Sequence, residues 1–216
     1  MAAALSKPLF VFGGTFDPVH NGHLRTAIEL TELFRTVAEV RLIPCGDPKH
    51  RQAPLASALH RLAMLRAATR HVPNLASGQP MIQVDDREVK REGATYTIDT
   101  LLEIRRQVGQ QPLILVMGSD AFLQLPSWHR WLEIIKAAHI MVVRRPNWSI
   151  ADDHEVASFY RNNLTNNLTD LITCPAGKIG QCELTQLDIS ATVIRRLFAS
   201  GSSPRYLLPE SVLDYV

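Results

Sequence analysis

Four short apolar runs recur along the chain: Leu9-Phe10-Val11-Phe12, Val40-Arg41-Leu42-Ile43, Leu113-Ile114-Leu115-Val116-Met117 and Ile140-Met141-Val142-Val143. Each stops at turn-forming residues, namely Gly13-Gly14, Pro44, Gly118 and Pro146. Such short, continuous runs predict strands buried on both faces, the pattern of a parallel sheet. Between them the spacing becomes helical. Leu24, Ala27, Ile28, Thr31 and Phe34 make one stripe, and Leu59, Leu62, Ala63 and Leu65-Arg66 a second. Ile98, Leu101, Leu102 and Ile104 make a third, and Trp128, Trp131, Leu132 and Ile135 a fourth.

Strand alternating with helix predicts an open α/β sheet, in which ligands bind beyond the carboxyl ends of the strands. The pattern lapses over residues 147–173, which are polar with one short helix near Val156–Tyr160 and read as a variable loop. A helix from Ser190 to Ala199, a Gly201-Ser202-Ser203 break and a short helix after Pro209 complete the chain. The expected organisation is a single domain over residues 1–216, with an α/β core to 186 and a helical segment from 187.

Composition narrows the function. The chain has 216 residues, with 23 basic against 21 acidic side chains, a net charge of +2. That excludes a strongly basic nucleic-acid arm. Of the cations, 18 are Arg and 5 are Lys, a bias that suits planar recognition of phosphate and carboxylate. Cys45, Cys174 and Cys182 are odd in number and form no C-x-x-C, so neither a disulfide framework nor a zinc knuckle is expected. The start lacks the pattern of a secretory signal and no apolar stretch is long enough to span a bilayer. The sequons at Asn147, Asn163 and Asn167 then carry no meaning. The expectation is a cytoplasmic protein with no membrane and no nucleic-acid partner; monomer and dimer stay open.

The chemistry sits after the first strand, in Gly13-Gly14-Thr15-Phe16-Asp17-Pro18-Val19-His20-Asn21-Gly22-His23. It is neither a Walker A loop nor a dinucleotide-binding G-x-G-x-x-G. Two glycines leave amide groups bare for a phosphate. His20 and His23, three apart at a helix start, share one face, and the helix N-terminus adds positive potential. Two imidazoles and a row of amides thus face one anionic centre, where they stabilise developing charge. A structural histidine pair, half a zinc site without a third ligand, and a general base are the competing readings; the zinc reading is the weakest.

This motif resembles that of the nucleotidyltransferases with a His-x-Gly-His-type sequence, and in particular the bacterial nicotinate-mononucleotide adenylyltransferases. The resemblance runs from Phe12 to about Leu208. It implies a Rossmann-like open parallel sheet with helices on both faces and a small C-terminal helical part. It implies adenylyl transfer from ATP, with Mg2+, to nicotinate mononucleotide, giving deamido-NAD and pyrophosphate. His20 and His23 are then the catalytic pair, and Gly13, Gly14, Thr15 and Phe16 belong to the ATP site. Asp188-Ile189-Ser190-Ala191-Thr192-Val193-Ile194-Arg195 resembles the family's second phosphate element, with Ser190, Thr192 and Arg195 on the β- and γ-phosphates. The resemblance implies that Gly118 and Asp120 take the adenosine ribose; read by itself, Asp120 is equally a helix N-cap.

Tyr96 and Thr97 resemble the family's Ser/Thr-Tyr-Thr stretch, and Trp128 and His129 its Trp-aromatic pair. There the pyridine stacks on Trp and backbone amides take the nicotinate carboxylate. Arg145 matches an Arg near the mononucleotide. His50 and Arg51 match a Pro-Pro-His-Lys/Arg loop, from which the chain departs by carrying Lys49 in place of proline. No metal ligand is expected among the side chains. The neighbouring readings are the same transfer to nicotinamide mononucleotide or phosphopantetheine, and a nucleotide sensor without turnover.

Overall fold

A computed structural model of the chain describes residues 7–34, 38–46, 54–70, 72, 81–145 and 148–216. Six parallel strands form one sheet in the order β3-β2-β1-β4-β5-β6. They are β1 (Leu9–Gly14), β2 (Glu39–Pro44), β3 (Ile82–Val84), β4 (Leu113–Gly118), β5 (His139–Val143) and β6 (Ile179–Cys182). The helices are α1 (Asn21–Glu32), α2 (Ala58–Thr69), α3 (Arg87–Lys90), α4 (Thr97–Val108), α5 (Ser119–Leu123), α6 (Trp131–Ala137), α7 (Ala157–Asn163), α8 (Ala191–Ala199) and α9 (Glu210–Leu213). The predicted open parallel α/β sheet is therefore present. All four apolar runs are strands, and β3 and β6 are additional.

The chain divides into two compact units. The first, unit 1, comprises Met1–Phe12, Phe34–Glu39 and Tyr96–Leu184. Within it Leu9 pairs with Leu113, Ile114 with His139 and Ile140 with Ile179. Phe10, Leu113, Ile114, Ile140 and Met141 are wholly buried, as are Ile98, Leu101 and Ile104 of α4. Two polar knots close the end of this unit opposite the strands' carboxyl termini. Arg105 donates to the carbonyls of Ala137, Gly109, Gln111 and Pro175 at 2.7–3.0 Å. His139, fully buried, accepts the Lys178 N–H at Nδ1 and lies 2.8 Å through Nε2 from the Cys174 carbonyl. One nitrogen accepts, so the other carries the hydrogen, and burial holds the ring below its ordinary pKa.

The variable stretch carries the expected short helix as α7 and adds a 3-10 turn at Leu168–Ile172, and it buries Val156, Ala157, Leu171 and Ile172. The fourth helical stripe is shorter than expected. Trp128 follows a 3-10 turn at Leu125–Ser127 that contains Pro126, and Arg130 adopts a left-handed backbone (φ 52°). Helix α6 therefore starts only at Trp131, and Leu132 faces outward.

The second, unit 2, comprises Gly13–Leu33, Val40–Thr95 and Thr185–Val216. Here Val40 pairs with Ile82 and Leu42 with Val84. On α2 the buried face is Ala58, Arg61, Leu62 and Leu65, at helical intervals of three and four. Leu59, predicted to lie inward, is instead 71% exposed. Helix α9 buries Val212, and Ser211 donates its hydroxyl to the Ala67 carbonyl of α2.

Candidate active site

The loop leaving β1 is strained at one residue. Phe16 has φ 51°, a left-handed conformation that costs a non-glycine side chain about 1–3 kcal/mol. Its ring is folded back over Gly14, where a Cβ would lie 2.9 Å from the ring, and this close approach explains the second glycine. The ring is almost fully buried and meets His23 edge to face, centroids 5.0 Å apart. Flanking anchors hold the strain in place. Asp17 accepts the amides of Leu55 (2.8 Å) and Ala56 (3.2 Å) on its two carboxylate oxygens. Arg61, with no exposed surface, donates to the carbonyls of Thr15 (2.8 Å), Gly46 (3.1 Å) and Ala56 (3.2 Å), and its Nη1 lies 3.4 Å from Cys45 Sγ.

His20 is the N-cap of α1, in extended backbone, and the two histidines close on each other. The His23 N–H donates to the His20 carbonyl, and the His20 N–H donates to His23 Nδ1 at 3.3 Å. The rings stack with centroids 3.7 Å apart. Gly22 allows this, since a Cβ there would press on His20 Nδ1 at 3.1 Å. With Nδ1 of His23 accepting, its hydrogen sits on Nε2. Burial lowers the His20 pKa to about 4. Burial, and then the neighbouring His20, lower that of His23 to about 3. The pair is therefore neutral at pH 7 in the free protein. Its resource is directed N–H groups rather than fixed positive charge.

The second motif meets the first inside unit 2. Ser190 caps α8 as expected, its Oγ accepting the Val193 N–H at 3.2 Å. Arg195 donates through Nη1 to the Asp17 carbonyl at 2.6 Å and through Nη2 to Thr192 Oγ1 at 3.2 Å. Residues 178 positions apart are thus joined directly. Asn21, the first residue of α1, ties back to the C-terminal segment by donating to the Leu207 and Tyr206 carbonyls.

Unit 1 holds the remaining described candidates. Gly118 ends β4 and opens α5, with open space where a Cβ would be. Asp120 and Arg145, expected on different ligands, form an exposed ion pair of 2.7 Å. Tyr96 caps α4 and Thr97 opens it. The Tyr96 ring lies 4.2 Å from the His129 ring, so the two aromatic stretches come together. Arg130 reinforces the junction through Asp99 at 3.3 Å and Glu133 at 2.7 Å. Trp128 is part-exposed, with its indole N–H buried and without a partner among the described residues. Trp131 is engaged edge to face with Phe159. A cavity of about 330 Å³ between Arg144, Thr165, Gln181 and Glu183 contains none of the candidates.

His50, Arg51 and Lys49 lie outside the described residues. Among the described residues no cluster of His, Cys, Asp or Glu could hold a metal ion, and no helix is long and apolar enough to cross a membrane. Sequence reasoning passed over Asp17 and Arg61 as site residues. The available signal was a charged residue on the apolar stripe of α2, since Arg61 shares a face with Ala58, Leu62 and Leu65.

Residues 11–197 match the family described as cytidylyltransferase-like. A protein of Hahella chejuensis named probable nicotinate-nucleotide adenylyltransferase is 55% identical over 97% of this chain and 93% of its own. Proteins of the same name are 44% identical in Pseudomonas entomophila, over 100% and 95% of the two chains, and 42% in Methylococcus capsulatus, over 95% of each. The structure is similar to the Plasmodium falciparum nicotinic acid mononucleotide adenylyltransferase complexed with NaAD, at a TM-score of 0.70 over 97% of this chain and 94% of that one. At 16% identity that likeness speaks for the fold alone. With a family model over most of the chain and near-full-length relatives in agreement, the chain belongs to the cytidylyltransferase-like family and, within it, to the nicotinate-nucleotide adenylyltransferases.

Proposed function

We propose that this protein transfers the adenylyl group of ATP to nicotinate mononucleotide, forming nicotinate adenine dinucleotide and pyrophosphate in NAD biosynthesis. An oxygen of the mononucleotide 5′-phosphate attacks the α-phosphorus of ATP. The bond between that phosphorus and the bridging oxygen to the β-phosphate breaks, and the electron pair leaves with pyrophosphate. The nucleophile is already an anion, so no side chain has to deprotonate it. The work left for the chain is to hold two anions together and to meet charge on the five-coordinate centre.

His20 and His23 meet that charge with N–H groups aimed from the start of α1, and the positive end of the helix dipole adds to it. Arg195, Thr192 and the free amides at the start of α8 take the β- and γ-phosphates, while Gly13 to Phe16 line the approach. Magnesium enters as the complex with ATP, a substrate whose own oxygens carry the metal. Gly118 and Asp120 serve the ribose. The mononucleotide is held by the Trp128 face, the Tyr96–His129 pair, the amides near Thr97, and Arg145. A carboxylate facing amide N–H groups gains more than a carboxamide does, which favours the acid form of the nucleotide.

The observation that carries this reading is the junction in unit 2, where the Arg195 fork reaches the backbone of the loop that leads into the stacked histidines. A coupled pyrophosphate-release assay with ATP and, in turn, nicotinate mononucleotide, nicotinamide mononucleotide and phosphopantetheine tests it. Fastest turnover with the nicotinate nucleotide is expected. Faster turnover with another acceptor changes the substrate, and no release with any of them leaves a nucleotide-binding protein without this activity.

A further inference from the structure

The strained residue of the β1 loop sits between two buried side chains to which the proposed reaction gives no substrate contact. The Asp17 carboxylate also lies 3.9 Å from Arg195 Nη1. The Thr15 carbonyl, on the N-terminal side of Phe16, is held by Arg61. The Asp17 side chain, on its C-terminal side, is held by the amides of Leu55 and Ala56. Arg61 also takes the Ala56 carbonyl, so the same short segment is gripped by both anchors. Between them Phe16 keeps a positive φ and turns its ring onto His23, which in turn stacks on His20. Strain of this kind persists only where the surroundings over-determine it.

We infer that Arg61 and Asp17 are positioning residues that act through Phe16 to set the His23 imidazole, a clasp that orients the catalytic pair without touching substrate. This rests on the adenylyl-transfer reading for its kinetic consequence, though not for its geometry. The guanidinium fork matters more than its charge, because three carbonyls in different directions need several fixed N–H vectors. Asparagine at position 17 would turn an NH2 donor toward one of two amide donors, so it too would loosen the clasp.

The test is a double-mutant cycle. Arg61→Lys is expected to lower kcat by about tenfold or more while the KM for ATP stays within about threefold, the pattern of misplaced chemistry rather than lost binding. In a His23→Ala background the same change should cost less than about twofold, since the group it positions is gone. Equal losses in both backgrounds would overturn the inference, as would a change in KM alone. Ring 15N–1H correlation spectra give a readout that does not depend on turnover: the His23 signals should shift in Arg61→Lys and in Asp17→Asn, while those of His139 in unit 1 stay put. Unmoved His23 signals in a folded variant would refute the clasp. If wild-type protein releases no pyrophosphate, the proposed function fails and the spectra still decide the clasp. If neither variant folds, amide exchange of Leu55 and Ala56 in the wild type decides it: slow exchange supports the clasp, and exchange at the rate of an open loop overturns it.

Discussion

The two units solve the problem of placing polar groups in opposite ways. In unit 2 the groups around the candidate phosphate chemistry are buried or part-buried and locked to backbone: Arg61 and Asp17 to each other's segments, Arg195 to the Asp17 carbonyl, His23 to the His20 amide. In unit 1 the candidate nucleotide-binding groups are held by exposed side-chain contacts. Asp120 and Arg145 are each about two-thirds exposed, and Arg130 reaches Asp99 and Glu133 in the open. Backbone-directed hydrogen bonds in a dry environment fix geometry to fractions of an ångström, whereas exposed ion pairs contribute little and rearrange readily. The proposed reaction assigns the fixed groups of unit 2 to the reacting phosphorus and the adaptable groups of unit 1 to the incoming ring.

The contrast is open to attack, most strongly at the histidines. His23→Ala should lower kcat at least about a hundredfold, near 3 kcal/mol of lost transition-state stabilisation, in a steady-state assay. Normal turnover in a folded His23→Ala protein would remove the rigid half from the chemistry.

Acid is the next lever. Between about pH 6.5 and pH 4 the unfolded chain protonates His20 and the native chain does not. The stabilisation is complete above pH 6.5 and is lost as pH falls toward 4, at most about 3 kcal/mol for this ring. His23 and the buried His139 add in the same direction. Urea midpoints at pH 7.5 and 5 should therefore lie closer together in His20→Asn than in the wild type. Coincident pH slopes would mean that His20 is not held neutral.

A smaller effect is expected in unit 1. Trp128→Ala should raise the KM for nicotinate mononucleotide about tenfold and leave kcat nearly unchanged, the signature of lost stacking. A fall in kcat with KM unmoved would instead place that indole in the chemistry. The smallest change belongs to the exposed pair: Asp120→Asn should move the unfolding free energy by less than about 0.5 kcal/mol in urea titration. A loss of several kcal/mol would show unit 1 to be as tightly wired as unit 2.

Much of this was readable from residue order. The strands were visible wherever four or five apolar residues ran together, because a sheet covered on both faces demands that pattern. β3 and β6 were not, since Ile82-Gln83-Val84 is three residues long and Ile179-Gly180-Gln181-Cys182 is half polar. The helix over Ser190–Ala199 was legible from its cap, but α6 was misjudged because Trp128, Trp131 and Leu132 keep a helical interval across a backbone that turns left-handed at Arg130.

Local order also named the histidines, the glycines and Ser190, since each acts within a few residues of itself: a bare turn, a helix start, a cap. It was silent on partners far away in the chain. That Arg195 meets Asp17, that Arg61 grips Thr15 and Gly46, and that Asp120 pairs with Arg145 depend on segments brought together by folding. The protonation state of the histidine pair belongs with these, because desolvation is a property of everything packed around a ring and has no address in the sequence.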